Sequence, residues 1–346
     1  MWRTSRVAAA LTASLVLAAL WSAASGSVDV PWSRAFALLF LEPLGLLRVD
    51  ATDTERTVVL VLRAPRIALG ALVGAALGAC GAGVQALFRN PLADPGLVGV
   101  SAGASLGAAG AIVLGGGAMA LLPGWVRPAL LPFAAFGGGA LTTALVLALG
   151  SGLRGRAATV TVLLAGVAVN ALVGAVVGLL SQVADDAELR DLVFWTMGGL
   201  GHASWELVAA TAPWVGLVVV GLMRVARTLD LLALGEREAS YLGVRIARVR
   251  RLVVAAVALG VGAAVAAAGL VGFVGLVVPH VARLTVGAKN QAVIPISALA
   301  GATLIVGADA IARTVVEPAE LPVGLLTAAL GAPFFLYLLR KEVRPA

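Results

Sequence analysis

Residues able to do covalent or metal chemistry are scarce in this chain and lie far apart. It has two histidines and one cysteine. A phosphate-cradling loop ends in Gly-Lys-Ser/Thr, yet the only lysines are Lys289, followed by Asn290, and Lys341, followed by Glu342. The sequence thus supplies no nucleotide-hydrolysing loop. Cys80 sits inside an apolar run, can form no internal disulfide, and reads as a small buried hydrophobe. His280 has no second ligand beside it and reads as a packing residue. No catalytic residue, metal site or cofactor is expected. Asp309 is the main acid within an apolar run and so the main candidate for a proton relay. It also precedes Arg313 by four, the order that suits a helical ion pair, and that structural reading is preferred.

Three segments carry more information in their backbone than in their side chains. Arg89-Asn90-Pro91-Leu92-Ala93-Asp94-Pro95-Gly96 contains two prolines that forbid a continuous helix. Irregular backbone of this kind is tolerated at membrane depth only where protein or water surrounds it; a simple turn is the alternative. The connection over 227–249 contains Leu234, Gly235, Glu236, Glu238, Ala239, Tyr241, Leu242 and Gly243. Its spacing predicts a short helix with small Ala239 exposed, suited either to docking in a partner's groove or to an ordinary amphipathic loop. Gly269 to Arg283, with glycines at 269, 272 and 275 and then Pro279-His280, predicts a short, kinked, closely packed helix.

The elements that position these segments are apolar. Hydrophobic residues make up 60% and charged residues 12% of the 346, where a soluble domain carries about a quarter charged; the mean hydropathy is +1.02. Runs able to cross a ~30 Å hydrocarbon layer recur throughout. They predict an all-α polytopic membrane protein with helices at 7–24, 64–87, 96–115, 129–149, 159–182, 205–225, 250–268, 272–286, 292–312 and 322–340, forming a single domain over 1–346. Residues 1–25 resemble a secretory signal, but nine spans follow, and a retained helix is expected. Gly70, Gly74 and Gly78 repeat at four, as do Gly103 and Gly107, and also Gly166, Asn170, Gly174 and Gly178. Each set predicts a groove for a neighbouring backbone. Asn170 reads as an interhelical hydrogen-bonding residue, with path lining as the alternative.

The formal charge is +7, but the arginines fall between apolar runs rather than on a basic soluble module, so nucleic acid is not an expected partner. With the N-terminus inside, only Arg34, Arg48, Arg56, Arg63, Arg66, Arg127, Arg190 and Arg313 of the 25 Lys and Arg face outward. That asymmetry predicts both termini in the cytoplasm.

The chain resembles the permease subunits of bacterial ATP-binding-cassette importers for iron–siderophores, haem and cobalamin. The resemblance runs from Arg63 to Lys341 through Arg63-Ala64-Pro65-Arg66, RNPLADPGLVG, LGEREASYLGV, GFVGLVVPHVAR, Ala308-Asp309 to Arg313, Glu320-Leu321-Pro322-Val323-Gly324, and Gly331-Ala332-Pro333-Phe334-Phe335. One departure is Leu270, where the family usually has proline. The resemblance implies a type II importer permease fold in the bacterial inner membrane, surrounded by lipid. It implies a homodimer, two ATPase subunits on the inner face and a periplasmic substrate-binding protein outside. Arg63, Arg66 and Arg313 match positions that dock the binding protein. The 227–249 segment, with Leu234, Gly235, Glu236, Glu238, Ala239, Leu242 and Gly243, matches the cytoplasmic segment that couples to the ATPases. Asn90 and Leu92 match inner-gate positions, with Thr159 a further candidate.

For cargo, Asp185-Asp186-Ala187-Glu188-Leu189-Arg190 with Trp195-Thr196-Met197-Gly198-Gly199 looks most like the haem-uptake branch. The expectation is a permease moving haem; ferric siderophore or cobalamin import by the same mechanism is the alternative. His202, at the outer mouth, is not expected to be a haem ligand. A proton-driven secondary transporter and a membrane scaffold are the rival classes; nearly missing intramembrane acids disfavour the first and broken helices the second.

Overall fold

The computed structural model describes residues 2–26, 28–46, 48–115, 127–149, 156–316 and 319–342. All regular structure among the described residues is helical. The helices are α1 (Trp2–Ala24), α2 (Trp32–Leu41), α3 (Asp53–Phe88), α4 (Val100–Val113), α5 (Arg127–Leu149), α6 (Arg156–Val183) and α7 (Asp186–Met197). They continue as α8 (Trp205–Ala233), α9 (Glu236–Tyr241), α10 (Ile246–Ala268), α11 (Val274–Val286), α12 (Asn290–Thr314) and α13 (Val323–Glu342). Among the described residues, seven are long and apolar enough to cross a membrane, and α4, α11 and α13 are shorter apolar helices. Together these match the ten expected spans.

Three elements exceed the expectation. α2 has only ten residues, too few to cross, and it packs beside α1. α3 starts eleven residues early because Thr52 and Glu55 form a reciprocal capping box. Asp185 and Glu188 do the same for α7, an amphipathic helix whose charges hid it from a hydropathy reading.

The centre is the crossing of α3 and α12. A methyl at Gly74 would strike the Gly301 carbonyl, one at Gly78 the Ser297 carbonyl, and one at Gly301 the Gly74 carbonyl. The backbones therefore touch, and no larger residue fits. Gly81 meets the Gly275 carbonyl of α11 in the same way, and Gly103 and Gly107 lay α4 on Gly138 and Ala134 of α5. The third glycine set differs: space around Gly174 and Gly178 is open. Both are exposed, whereas earlier on the same face Gly166 is buried and Asn170 half-buried, so only the later half of that groove turns away from the rest of the chain.

α1 belongs to this bundle. It lies along α12, and its last turn supplies carbonyl oxygens to two buried arginines, Ala23 to Arg63 at 2.7 Å and Ser22 to Arg313 at 2.8 Å. Truncating α1 leaves both guanidiniums without those acceptors.

Replacing Gly301 with valine is expected to destabilise the purified protein by at least 1–3 kcal/mol, the usual cost of overpacking. Gly221→Ala on α8, where the added carbon meets nothing within 4 Å, should leave the thermal unfolding midpoint in detergent unchanged or higher.

Candidate functional site

The two ends of the bundle differ chemically, and α8, roughly 44 Å long at 1.5 Å per residue, separates them. At one end stand the arginines of the Arg63-Ala64-Pro65-Arg66 motif. Residues 58–63 form a wide turn with i→i+5 hydrogen bonds inside α3. Pro65 follows at once; it has no N–H for the Val61 carbonyl and its ring crowds that oxygen. The wide turn relieves the clash and sends Arg63 and Arg66 toward α1 and α12.

Arg66 grips Asp309 of α12 along one edge: Nε lies 3.0 and 2.9 Å from Oδ1 and Oδ2, and Nη2 lies 2.9 Å from Oδ1. Its Nη1 donates to Glu320 Oε2 at 2.8 Å. Arg313 Nε sits 3.5 Å from Asp309 Oδ2, while its Nη2 donates to the Ser22 carbonyl and to Ser22 Oγ at 2.6 Å. Arg63 donates to Ala23 and Val28 carbonyls, both at 2.7 Å. Gly26, at φ +132°, leaves room for these head groups: a Cβ there would lie 3.0 Å from Arg63 Nη2.

The sequence therefore located Asp309 correctly as structural but named the lesser partner. The (i, i+4) Arg313 is a single long contact, whereas Arg66, 243 residues away in sequence, is bidentate. Arg63 and Arg313 are buried, and of the three only Arg66 lines the adjoining cavity of about 710 Å³.

That cavity is also lined by Glu188, Asp191, Trp195, His202 and Glu320. Its floor is a knot of three motifs. A Cβ at Gly198 would strike the Leu270 carbonyl, one at Gly269 the Trp195 carbonyl, and one at Gly324 the Met197 carbonyl. His202 Nε2 contacts the Ala267 carbonyl at 3.0 Å. Leu270, where proline is usual, sits in an irregular stretch that ends at Phe273 with φ 65°, so α11 begins only at Val274. His280 on α11 packs edge-on to Phe334 of α13, their centroids 6.4 Å apart.

At the opposite end, α3 stops at Arg89 in the left-handed conformation. Asn90 Oδ1 accepts from Leu92 N–H at 2.9 Å, and Asp94 Oδ1 from Gly96 N–H at 2.7 Å. Burial pushes the Asp94 carboxyl above its ordinary range, opposed by that Gly96 N–H. Asn90 is exposed and Leu92 half-buried; Thr159 falls on α6, but its side chain is outside the described residues. Asn170 Nδ2 reaches the Gly96 carbonyl at 3.4 Å. Gln85, one turn before the break, bonds the Leu276 carbonyl at 3.0 Å and receives Arg283 Nη1 at 2.8 Å. The sequence placed Arg283 at the end of the Gly269–Arg283 segment but gave no partner to it or to Gln85, 198 residues away.

The 227–249 segment contains α9, bounded by Gly235 at φ +132° and Gly243 at φ +84°. Glu236 pairs with Arg250 at 3.2 Å. One expectation is corrected: Ala239 is buried, because its carbonyl accepts Val244 N–H and its methyl turns into the bundle. The exposed apolar groups around α9 are Leu234, Leu242 and, above all, Tyr241, 90% exposed, and Arg237, Glu238 and Gly243 are exposed beside them.

Asp309→Asn would leave Arg66 and Arg313 facing each other without their anion. A loss of about 3–5 kcal/mol is expected, as for breaking a buried pair, read as a lowered unfolding midpoint in detergent; an unchanged midpoint would count against this geometry.

Comparison with known proteins agrees with these motifs. Residues 14–341 match the FecCD transport family. The hemin transport system permease protein HmuU of Yersinia pestis is 40% identical over 333 residues, 95% of this chain and 93% of that protein. The cobalamin import system permease protein BtuC of Halobacterium salinarum is 43% identical over 323 residues, covering 92% and 82%. A solved metal-chelate type ABC transporter in an inward-facing conformation superposes with a TM-score of 0.80 at 31% identity, covering 97% of this chain and 99% of that one. The helical bundle thus has the type II importer permease fold. The chain belongs to the FecCD transport family, as a multi-pass permease subunit.

Proposed function

We propose that two copies of this chain form the translocation path of an ATP-driven importer, with the Arg66 end facing the periplasm and both termini in the cytoplasm. The observation that carries this reading is the contrast between the two ends. One presents a carboxylate-bound arginine beside a large cavity. The other presents α9, a six-residue helix hinged between two positive-φ glycines with Tyr241 projecting. A short rigid helix with exposed apolar tips suits insertion into a groove on a separate ATPase subunit. The excess of basic residues on the α9 side supports the orientation. Leucines exposed on α6 fit lipid as well as protein, but the open space at Gly174 and Gly178 favours close approach of a second copy's helix.

The binding protein docks at the end where Arg66 lies, with Arg63 and Arg313 behind it, and complementary charge orients it. Cargo passes into the space between the copies, and ATP binding in the partner subunits moves α9 and the Asn90–Leu92 break, switching access from one side to the other.

For cargo, the reading is a metal–tetrapyrrole chelate. The mouth motifs favoured haem, yet identity to the cobalamin permease of Halobacterium salinarum, 43%, exceeds that to the hemin permease, 40%. Cobalamin is therefore given equal standing or better, and ferric siderophores come third. The test is ATP-dependent uptake by the chain reconstituted with its ATPase and binding protein, offered labelled cyanocobalamin or hemin separately. Accumulation of one or both is expected and assigns the cargo; exclusive uptake of a ferric siderophore would overturn the tetrapyrrole reading.

A further inference from the structure

The donors of Arg66 are unequally held, and the difference has a functional consequence. The Nε–Nη2 edge is bound by Asp309, whose side chain is 3% exposed, and water cannot readily compete there. Nη1 points the other way, toward the cavity, and is occupied by Glu320, whose side chain is 52% exposed. Glu320 lies on the link between α12 and α13, on the strand of chain tied back by the Leu321 N–H to the Ala312 carbonyl at 3.1 Å. Arg66 and Glu320 both line the cavity. So the donor of this cluster that opens to the cavity is covered by a carboxylate belonging to the chain itself.

We propose that Glu320 is an internal competitor for docking: it occupies Arg66 Nη1 in the undocked permease, and a carboxylate of the binding protein must displace it. This rests on the docking role proposed above for Arg66. An incoming carboxylate meets two obstacles at Glu320, a donor already in use and a like charge beside it. Half of the Glu320 side chain is open to solvent, which weakens its hold on Arg66, so Glu320 yields readily, whereas buried Asp309 stays and keeps Arg66 aimed. The arrangement keeps the arginine satisfied while the mouth is empty and sets docking affinity below what the bare cluster would give. Release of Glu320 also frees the link to α13, so docking at the mouth is felt by that helix.

The test is the affinity of the system's own binding protein for the permease–ATPase complex in lipid nanodiscs, measured for the wild type, Glu320→Gln, Arg66→Gln and the double variant. Glu320→Gln should tighten binding about tenfold and Arg66→Gln should weaken it about tenfold or more, the scale on which close charge pairs act. In the Arg66→Gln background, Glu320→Gln should change affinity less than about threefold, because there is no longer a guanidinium to compete for. If Arg66→Gln weakens binding while Glu320→Gln leaves it unchanged or weaker, the competitor role is wrong and the docking role stands. If Glu320→Gln tightens binding equally in both backgrounds, its charge acts generally and the proposal fails. If Arg66→Gln has no effect on a complex that unfolds at the wild-type temperature, the docking role itself falls.

Discussion

Contact between the backbones of α3 and α12 is the constraint on which the rest of the molecule is built. Gly74 and Gly78 on one helix face Gly301 and Ser297 on the other so closely that no Cβ fits between them. In lipid no hydrophobic force drives helices together, and close van der Waals packing must do it. The crossing then fixes what lies at each end of the same two helices. Arg66, two turns before Gly74, meets Asp309, two turns after Gly301. Toward the other end, Gln85 is brought to α11, and the N-terminus of α12 reaches α8, where Asp230 receives the Asn290 N–H at 2.7 Å. One packing contact thus aligns Arg66 at one end and the break after α3 at the other on a common rigid axis.

Polar groups in this bundle are few and nearly all are spent on holding irregular backbone. Arginines bind carbonyls at the end of α1, Gln85 binds the Leu276 carbonyl of α11, and Asn90 and Asp94 close turns in the break after α3. This follows from the solvent: an unsatisfied backbone group in hydrocarbon costs several kcal/mol.

Much of the fold was legible because the bilayer sets both the length and the composition of a crossing helix. All ten apolar runs became helices, and the glycine spacings at 70–78 and 103–107 became close contacts. What escaped was governed by other physics. α2 is apolar but too short to register as a span. α7 and the start of α3 are announced by capping boxes, Asp185 with Glu188 and Thr52 with Glu55, a signal that hydropathy does not weigh. Arg63, Arg66 and Arg313 stood out in the sequence through their motifs, and the i,i+4 contact of Arg313 with Asp309 was legible, but the partners of Arg63 and Arg66 were not. Arg66 and Glu320 are 254 residues apart, and only the tertiary crossing brings them together. The burial of Ala239 was missed because helical spacing alone does not say which face of a one-turn helix is turned inward.

The account treats this chain as a path whose driving energy is supplied from outside it. The most direct measurement is solute accumulation in proteoliposomes that hold the purified chain alone, under an imposed proton gradient. The account predicts none, with ATP-dependent accumulation appearing only once the ATPase subunits are added. Accumulation against a gradient by the unaccompanied chain would contradict it.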